Sequence, residues 1–228
     1  MWAIRTTGVN MKVISTVLLL PMMLAACTTA NRPFVAAIED AKRNNTAKLA
    51  HWFQADGDDT QCEGQWGPQF AEINNFTPDV RVNTDNRSGG CFQRFSVIDP
   101  NDLLAGLDIR MEFGPVGADT GECESTFGIP ATIKLTRVKD VPGWTAQIRI
   151  NTDDRPEQGC YQKWTFVDGP PGYAFDIAYR ADGDLGQCGN TTGSYHRIKK
   201  GDSVTIVFNT DGRPGGCWLR YRLATYQP

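Results

Sequence analysis

Histidine is scarce in this 228-residue chain: His51 and His196 are its two imidazoles. A histidine-rich metal centre or a histidine acid–base pair therefore has little material. Cationic excess is missing too. Lysine and arginine number 23 against 26 acids, a formal charge of -3, which excludes the broad basic surface of sequence-independent nucleic-acid binding. The apolar run at residues 13–24 is interrupted by Ser15, Thr16 and Pro21, whereas a permanent membrane span needs about 20 apolar residues. No GxSxG, HExxH or phosphate-loop pattern occurs, so no linear motif announces hydrolytic or nucleotide chemistry. With 40% hydrophobic and 10% aromatic residues the chain is too apolar for intrinsic disorder. What remains is a folded body of one medium domain or two small ones.

Met11 and Lys12 lead into the apolar run, which ends Leu24, Ala25, Ala26, Cys27. A charged start, a short apolar stretch and small residues at the cut describe an export signal, with Met11 as the expected initiator. The Leu-Ala-Ala-Cys ending resembles the lipobox of bacterial lipoprotein precursors. The resemblance implies removal of the signal peptide, residues 1–26, and attachment of lipid, palmitate included, to Cys27. With Thr28 rather than Asp in the next position, it also implies sorting to the outer membrane of a Gram-negative cell envelope. An ordinary cleaved signal with an incidental Cys27 is the alternative. The cysteine count agrees with the lipid: seven in all, six once Cys27 is the anchor, an even number for disulfide bonds in an oxidising compartment. Residues 27–47 are then a lipidated N-terminus and spacer. Phe34, Ile38 and Ala41 fall at helical spacing behind Pro33 and predict a short helix over residues 31–45.

Internal repetition dominates the rest. Asn83-Thr84-Asp85-Asn86-Arg87 runs to Gly90-Cys91, Asn151-Thr152-Asp153-Asp154-Arg155 to Gly159-Cys160, and Asn209-Thr210-Asp211-Gly212-Arg213 to Gly216-Cys217. Each copy continues as aromatic, any residue, base, aromatic: Phe92, Arg94, Phe95; Tyr161, Lys163, Trp164; Trp218, Arg220, Tyr221. A second signature precedes each: Ala55-Asp56-Gly57-Asp58 to Cys62, Ala118-Asp119 to Glu122-Cys123, and Ala181-Asp182-Gly183-Asp184 to Cys188. Residues 48–228 thus read as three units of about 60 residues, near 48–104, 105–171 and 172–228. Period-two alternation marks strands on both sides of each NTDxR loop, with Val80 and Val82, Ile148 and Ile150, Ile206 and Phe208 on one face. Phe95 and Val97, Trp164 and Phe166, Tyr221 and Leu223 continue that inward set. About four strands per unit, twelve in all, predict an all-β fold in a closed pseudo-threefold arrangement resembling a β-trefoil or β-prism, because closure removes exposed edges. An open array of three disulfide-stapled modules is the alternative.

Six cysteines allow fifteen pairings, and threefold repetition favours two symmetric ones. One joins Cys62 with Cys91, Cys123 with Cys160, and Cys188 with Cys217 within units; the other joins each second cysteine to the next unit's first. Asp56 with Asp58, and Asp182 with Asp184, offer oxygen at alternating positions as calcium loops do, but without the full loop spacing they read better as turns in which Asp accepts from nearby backbone N–H groups. No other cofactor is expected. In the NTDxR segments, Asp85, Arg87, Asp153, Arg155, Asp211 and Arg213 offer carboxylate and guanidinium groups. Alternation puts Phe92 with Arg94, Tyr161 with Lys163, and Trp218 with Arg220 on the solvent face, rings placed to stack on a sugar or on the neighbouring base. The alternative makes the same residues scaffold. His51 and His196 read as ordinary surface or strand residues.

The expected function is a non-catalytic, lipid-anchored binding module of the cell envelope. Its expected ligand is carbohydrate or envelope polysaccharide, held at three repeated weak sites whose avidity multiplies. The alternatives are a structural or assembly lipoprotein contacting another envelope protein, and a glycoside hydrolase, which needs two facing carboxyl groups.

Overall fold

A computed structural model describes residues 31–83, 89–117, 121, 123–151, 159–189, 192–209 and 213–227. Cys27 with its lipobox, Asp85, Arg87, Asp119, Glu122, Asp153, Arg155 and Asp211 lie outside the described residues. The chain divides into Met1–Arg32 and Pro33–Pro228, and the second unit carries the fold.

Its first element is helix α1 (Arg32–Asn44), with Pro33 in the first turn and Lys42 and Arg43 in the last, where cations suit the helix dipole. Asn45 at φ 49° ends it in the left-handed conformation. Phe34, Ala37, Ile38 and Ala41 form the buried stripe, on Ala50, Ile98 and Val138. Phe34 meets Trp144 at 5.0 Å and Phe70 at 5.6 Å, edge to face in both cases. The predicted helix is present, but it is no spacer: its apolar stripe docks it onto the β body.

The described residues otherwise form fifteen strands in three antiparallel sheets, with one parallel pairing. Each sheet is built on a long hairpin-like pair. β1 (Lys48–Gly57) pairs β5 (Gly89–Ile98), β6 (Asp108–Val116) pairs β11 (Gly159–Asp168), and β12 (Tyr173–Gly183) pairs β15 (Gly215–Thr225). The register places Ala55 opposite Cys91, Pro115 opposite Cys160 and Ala181 opposite Cys217. Outside the first strand of each pair lies β3 (Gly67–Glu72), β8 (Ala131–Lys134) or β13 (Ser194–Ile198). Beyond the second strand comes one from another segment: β10 (Ile148–Asn151) on β5, β14 (Ser203–Asn209) on β11, and β4 (Val80–Asn83) on β15. The strands beyond the expected twelve are short: β2 (Cys62–Gly64) on β4, β7 (Cys123–Ser125) on β10, and β9 (Thr136–Val138) beside β5. All three sheets are open at their edges.

The repeated Gly-Cys has a steric cause. A Cβ on Gly90, Gly159 or Gly216 would run into the carbonyl oxygen of Ile150, Phe208 or Val82 on the adjoining strand, so close approach of these strands requires glycine. The inner faces meet at Phe95, Trp164 and Tyr221, buried rings with centroids 5.0, 5.1 and 5.5 Å apart. One step along the same face lie Gln93, Gln162 and Leu219, all buried. The Gln162 carbonyl accepts from Trp164 Nε1 and the Tyr221 hydroxyl, both at 3.1 Å, and its amide donates to Gln93 at 3.3 Å. A polar layer is thus tied into the aromatic one through Gln162, while among the described residues Gln93 Nε2 and both ring nitrogens of the neighbouring His51 are buried without a hydrogen-bond partner.

Two disulfides follow the within-unit pairing, Cys123–Cys160 and Cys188–Cys217. The expected third is not closed. Cys62 and Cys91 are buried thiols in mutual hydrogen-bond contact, and burial pushes both well above the ordinary thiol range.

Candidate functional site

The outward face of the third sheet carries the site. Strand alternation turns Phe175, Ile177, Leu219 and Tyr221 into the core and leaves Ala178 and Arg180 of β12, Trp218 and Arg220 of β15 and Tyr195 of β13 outside. These five, with Asp79 ahead of β4, line a cleft of about 370 Å³. Ala178 is the reason the cleft exists. It lies opposite Arg220, in the register position that Trp52 takes opposite Arg94 and Glu112 takes opposite Lys163. In the first sheet the Trp52 ring fills the space, with Arg94 4.7 Å from its centroid. In the second, Glu112 pairs with Lys163 at 3.2 Å. A methyl group in the third leaves a hole.

The walls are fixed by contacts around them. Arg180 lies 5.1 Å over the Trp218 ring, and Trp218 Nε1 donates to Asp182 at 3.3 Å. Arg220 and Arg222 lie on Phe76 at 4.5 and 4.2 Å, and the Tyr195 ring meets Phe76 edge-on at 6.4 Å. Arg222 also donates to the Tyr195 hydroxyl at 3.1 Å. Behind them the buried Asp176 receives Arg197 at 2.9 Å and Arg222 at 2.6 Å. Burial alone would raise the Asp176 carboxyl, but the bonds from Arg197, Tyr195 and Arg222 outweigh it and hold the group below the usual carboxylate range. Tyr195 stays 51% exposed despite these contacts, so a locked ring edge faces solvent.

The three expected aromatic–base pairs do not form along their strands. Arg94 stacks on Trp52 and donates to Gln147, Lys163 turns to Glu112, and Arg220 turns to Phe76. Phe92 receives Arg149 at 5.8 Å instead, and Tyr161 lies over Gly114. Cross-strand neighbours stand about 5 Å apart whereas same-face residues along a strand are nearly 7 Å apart, so the cross-strand partner wins. Among the described residues, the cleft beside Trp218 and Tyr195 is the roomier of two aromatic-lined ones: a smaller one of about 170 Å³ lies beside Phe92, with Gln147 and Arg149 in its wall. Tyr195, Arg180, Asp79 and the enabling Ala178 were missed by the sequence reading. Aligning residues 51–58 with 177–184 on their shared Ala-Asp-Gly-Asp would have shown Trp52 against Ala178 and Gln54 against Arg180.

Of the expected NTDxR acids and arginines, Arg213 is described, and it pairs with Asp184 at 3.1 Å. Asp58 and Asp184 cap short 3-10 turns, accepting from Thr60 N and Gly186 N. Asp56 pairs with Arg149 at 2.7 Å and Asp182 with Arg81 at 2.9 Å, so the four carboxylates considered as calcium ligands, Asp56, Asp58, Asp182 and Asp184, each have a protein partner. His196 stacks on Tyr179. His51 is a strand residue, one of the two expected alternatives, and it is fully buried, stacked on Phe95 at 4.7 Å, because its strand brings it to the layer of the three core rings.

A second cleft of about 440 Å³ holds two acids, Asp108 and Asp168. Hydrogen bonds from Arg110 and Lys134 lower Asp108, and Lys200 lowers Asp168. Neither is a proton donor at neutral pH, which acid-catalysed glycoside cleavage requires. In the Trp218 cleft, Asp79 is the one carboxylate among the lining residues. Compared with known proteins, the chain matches no family model, no curated protein and no solved structure.

Proposed function

We propose that this chain is a lipid-anchored envelope lipoprotein of the outer membrane that binds carbohydrate, without catalysis, at the cleft beside Trp218. The observation that carries the reading is the hole at Ala178: aromatic rings, guanidinium donors and a carboxylate converge on it, and this is the set that holds a pyranose by its apolar face and its hydroxyls. A contact surface for an envelope protein needs no such hole. The lipobox at Cys27 supports the anchor. A lone lining carboxylate supports binding over hydrolysis.

The body that presents the cleft is, in this reading, three repeated units in a β-prism-like arrangement. Each unit lends its fourth long strand a neighbour from the next: β10 to β5, β14 to β11, and β4 back to β15. The return of the exchange to the first unit, and the mutual contact of Phe95, Trp164 and Tyr221, support that reading.

Ala178→Trp tests the function. Tryptophan is the residue at the corresponding position 52, so the fold accommodates it while the cleft fills. On a glycan array the wild-type chain binds and Ala178→Trp does not, at unchanged melting temperature. Trp218→Ala weakens binding by about 2 kcal/mol, roughly thirtyfold. An array without any bound glycan, or equal binding by wild type and Ala178→Trp, overturns the proposal.

A further inference from the structure

We infer that the cleft selects acidic sugars, with a uronate carboxylate on Arg180 and its ring against Trp218. The inference rests on the carbohydrate reading above and goes beyond it in naming the ligand class. Three charged side chains line the cleft: Arg180, Arg220 and Asp79. Asp79 stands 3.8 Å from Arg220, so those two largely cancel. Arg180 remains. It is exposed, its described contact is the face of Trp218, and among the described residues no carboxylate lies within salt-bridge reach of it. Nearly every other arginine on this face has an acid: Arg81 has Glu63 and Asp182, Arg197 and Arg222 have Asp176.

A guanidinium stacked on an indole keeps its in-plane N–H donors free, and that planar fork matches a carboxylate in bidentate fashion. The corresponding positions opposite Phe92 and Tyr161 hold Gln54 and Gly114, so the unpaired cation belongs to the sheet with the hole. The chain as a whole carries -3. Its overall field repels a polyanion, and selection of a uronate must come from the local guanidinium rather than from long-range attraction.

Titration calorimetry with a galacturonate oligosaccharide and its carboxyl-reduced neutral counterpart tests the inference. The uronate binds wild type roughly tenfold more tightly than the neutral oligomer, the worth of one charge-assisted contact, and the gap narrows at high salt. Arg180→Gln, which installs the residue of position 54, removes the difference, while Ala178→Trp removes binding of both. Equal affinity for the two oligomers, or a uronate preference that survives Arg180→Gln, overturns the acidic-sugar inference and leaves the carbohydrate reading standing. Binding of neither oligomer, together with an empty glycan array, overturns both. Uronate binding that survives Ala178→Trp places the interaction elsewhere on the surface and also overturns the inference.

Discussion

His51 makes the stability of this fold depend on pH in a window where carboxylates are silent. The imidazole is fully buried, stacked on Phe95, with Tyr221 at 5.3 Å and Phe53 at 6.0 Å; the polar group facing it is Gln93. Burial removes water from the imidazolium and pushes the pKa from 6.5 to about 3, and the nearby Gln93 only partly opposes this. As the pH falls, the unfolded chain therefore binds the proton first. The stabilisation is complete above pH 6.5 and is lost below it, at about 1.4 kcal/mol per pH unit until the folded pKa is reached. At about pH 4.5 the loss is near 2.7 kcal/mol. Asp108, Asp168 and Asp176 are held below their usual range, so their contribution disappears only at lower pH. His51→Met isolates the effect, because Met111 sits opposite Trp164 as His51 sits opposite Phe95. Urea unfolding followed by tryptophan fluorescence should show wild type losing roughly 2–3 kcal/mol between about pH 6.5 and about pH 4.5, and His51→Met losing little. Equal losses in the two proteins would refute the assignment to His51.

Cys62 and Cys91 should oxidise to a third disulfide in an oxidising compartment, since they occupy the register of Cys188 and Cys217. Closing a loop of about 30 residues adds roughly 3.5 kcal/mol in the chain-entropy model; alkylation of both thiols in unreduced, urea-unfolded protein exported to the envelope would contradict this. Asp176→Asn strands two guanidiniums that are themselves partly exposed, and should cost roughly 2–3 kcal/mol in urea unfolding. A cost under about 0.5 kcal/mol would show that Arg197 and Arg222 find water instead. Phe34→Ala removes the ring between Phe70 and Trp144 and should lower stability by about 3 kcal/mol; release of α1 to protease without that loss would show that the helix is a dispensable cover.

Inner faces were legible in the sequence because period two is a local signal. Val80 with Val82, Ile148 with Ile150 and the Phe95, Trp164 and Tyr221 series all point inward as their alternation requires. The within-unit cysteine pairing was one of two symmetric options and needed the strand register to decide it. The helix was legible from Phe34, Ile38 and Ala41, but its receiving surface was not, since Phe70, Trp144 and Val138 come from three separated segments. The burial of His51 was not legible for a related reason: nothing near it in sequence says that Phe95 and Tyr221 close over it. The cleft was hardest. It is made by a side chain that is small, and Ala178 has meaning only against Trp52 and Glu112.

The outward faces diverge where the inward ones cannot. Arg81 bridges Glu63 and Asp182, and Arg149 bridges Glu124 and Asp56, each arginine being nearly buried between its two acids. At the third seam the register puts Val207 in the arginine position and Val116 in the aspartate position, with Gly189 following Cys188 where the glutamates follow theirs. All three charges are missing together. A partial loss would leave a half-buried arginine without a counter-charge, or acids crowded without a cation, and either costs more than the complete set or none. Ala178 and Arg180 change in the same way. The methyl group opens the space, the arginine adds an unpaired charge at its rim, and the proposed acidic-sugar site needs both. The inner rings must fit one another, so their sheets stay alike; the outer face of the third sheet is bound by no such fit, and that freedom is what leaves room there for the proposed binding site.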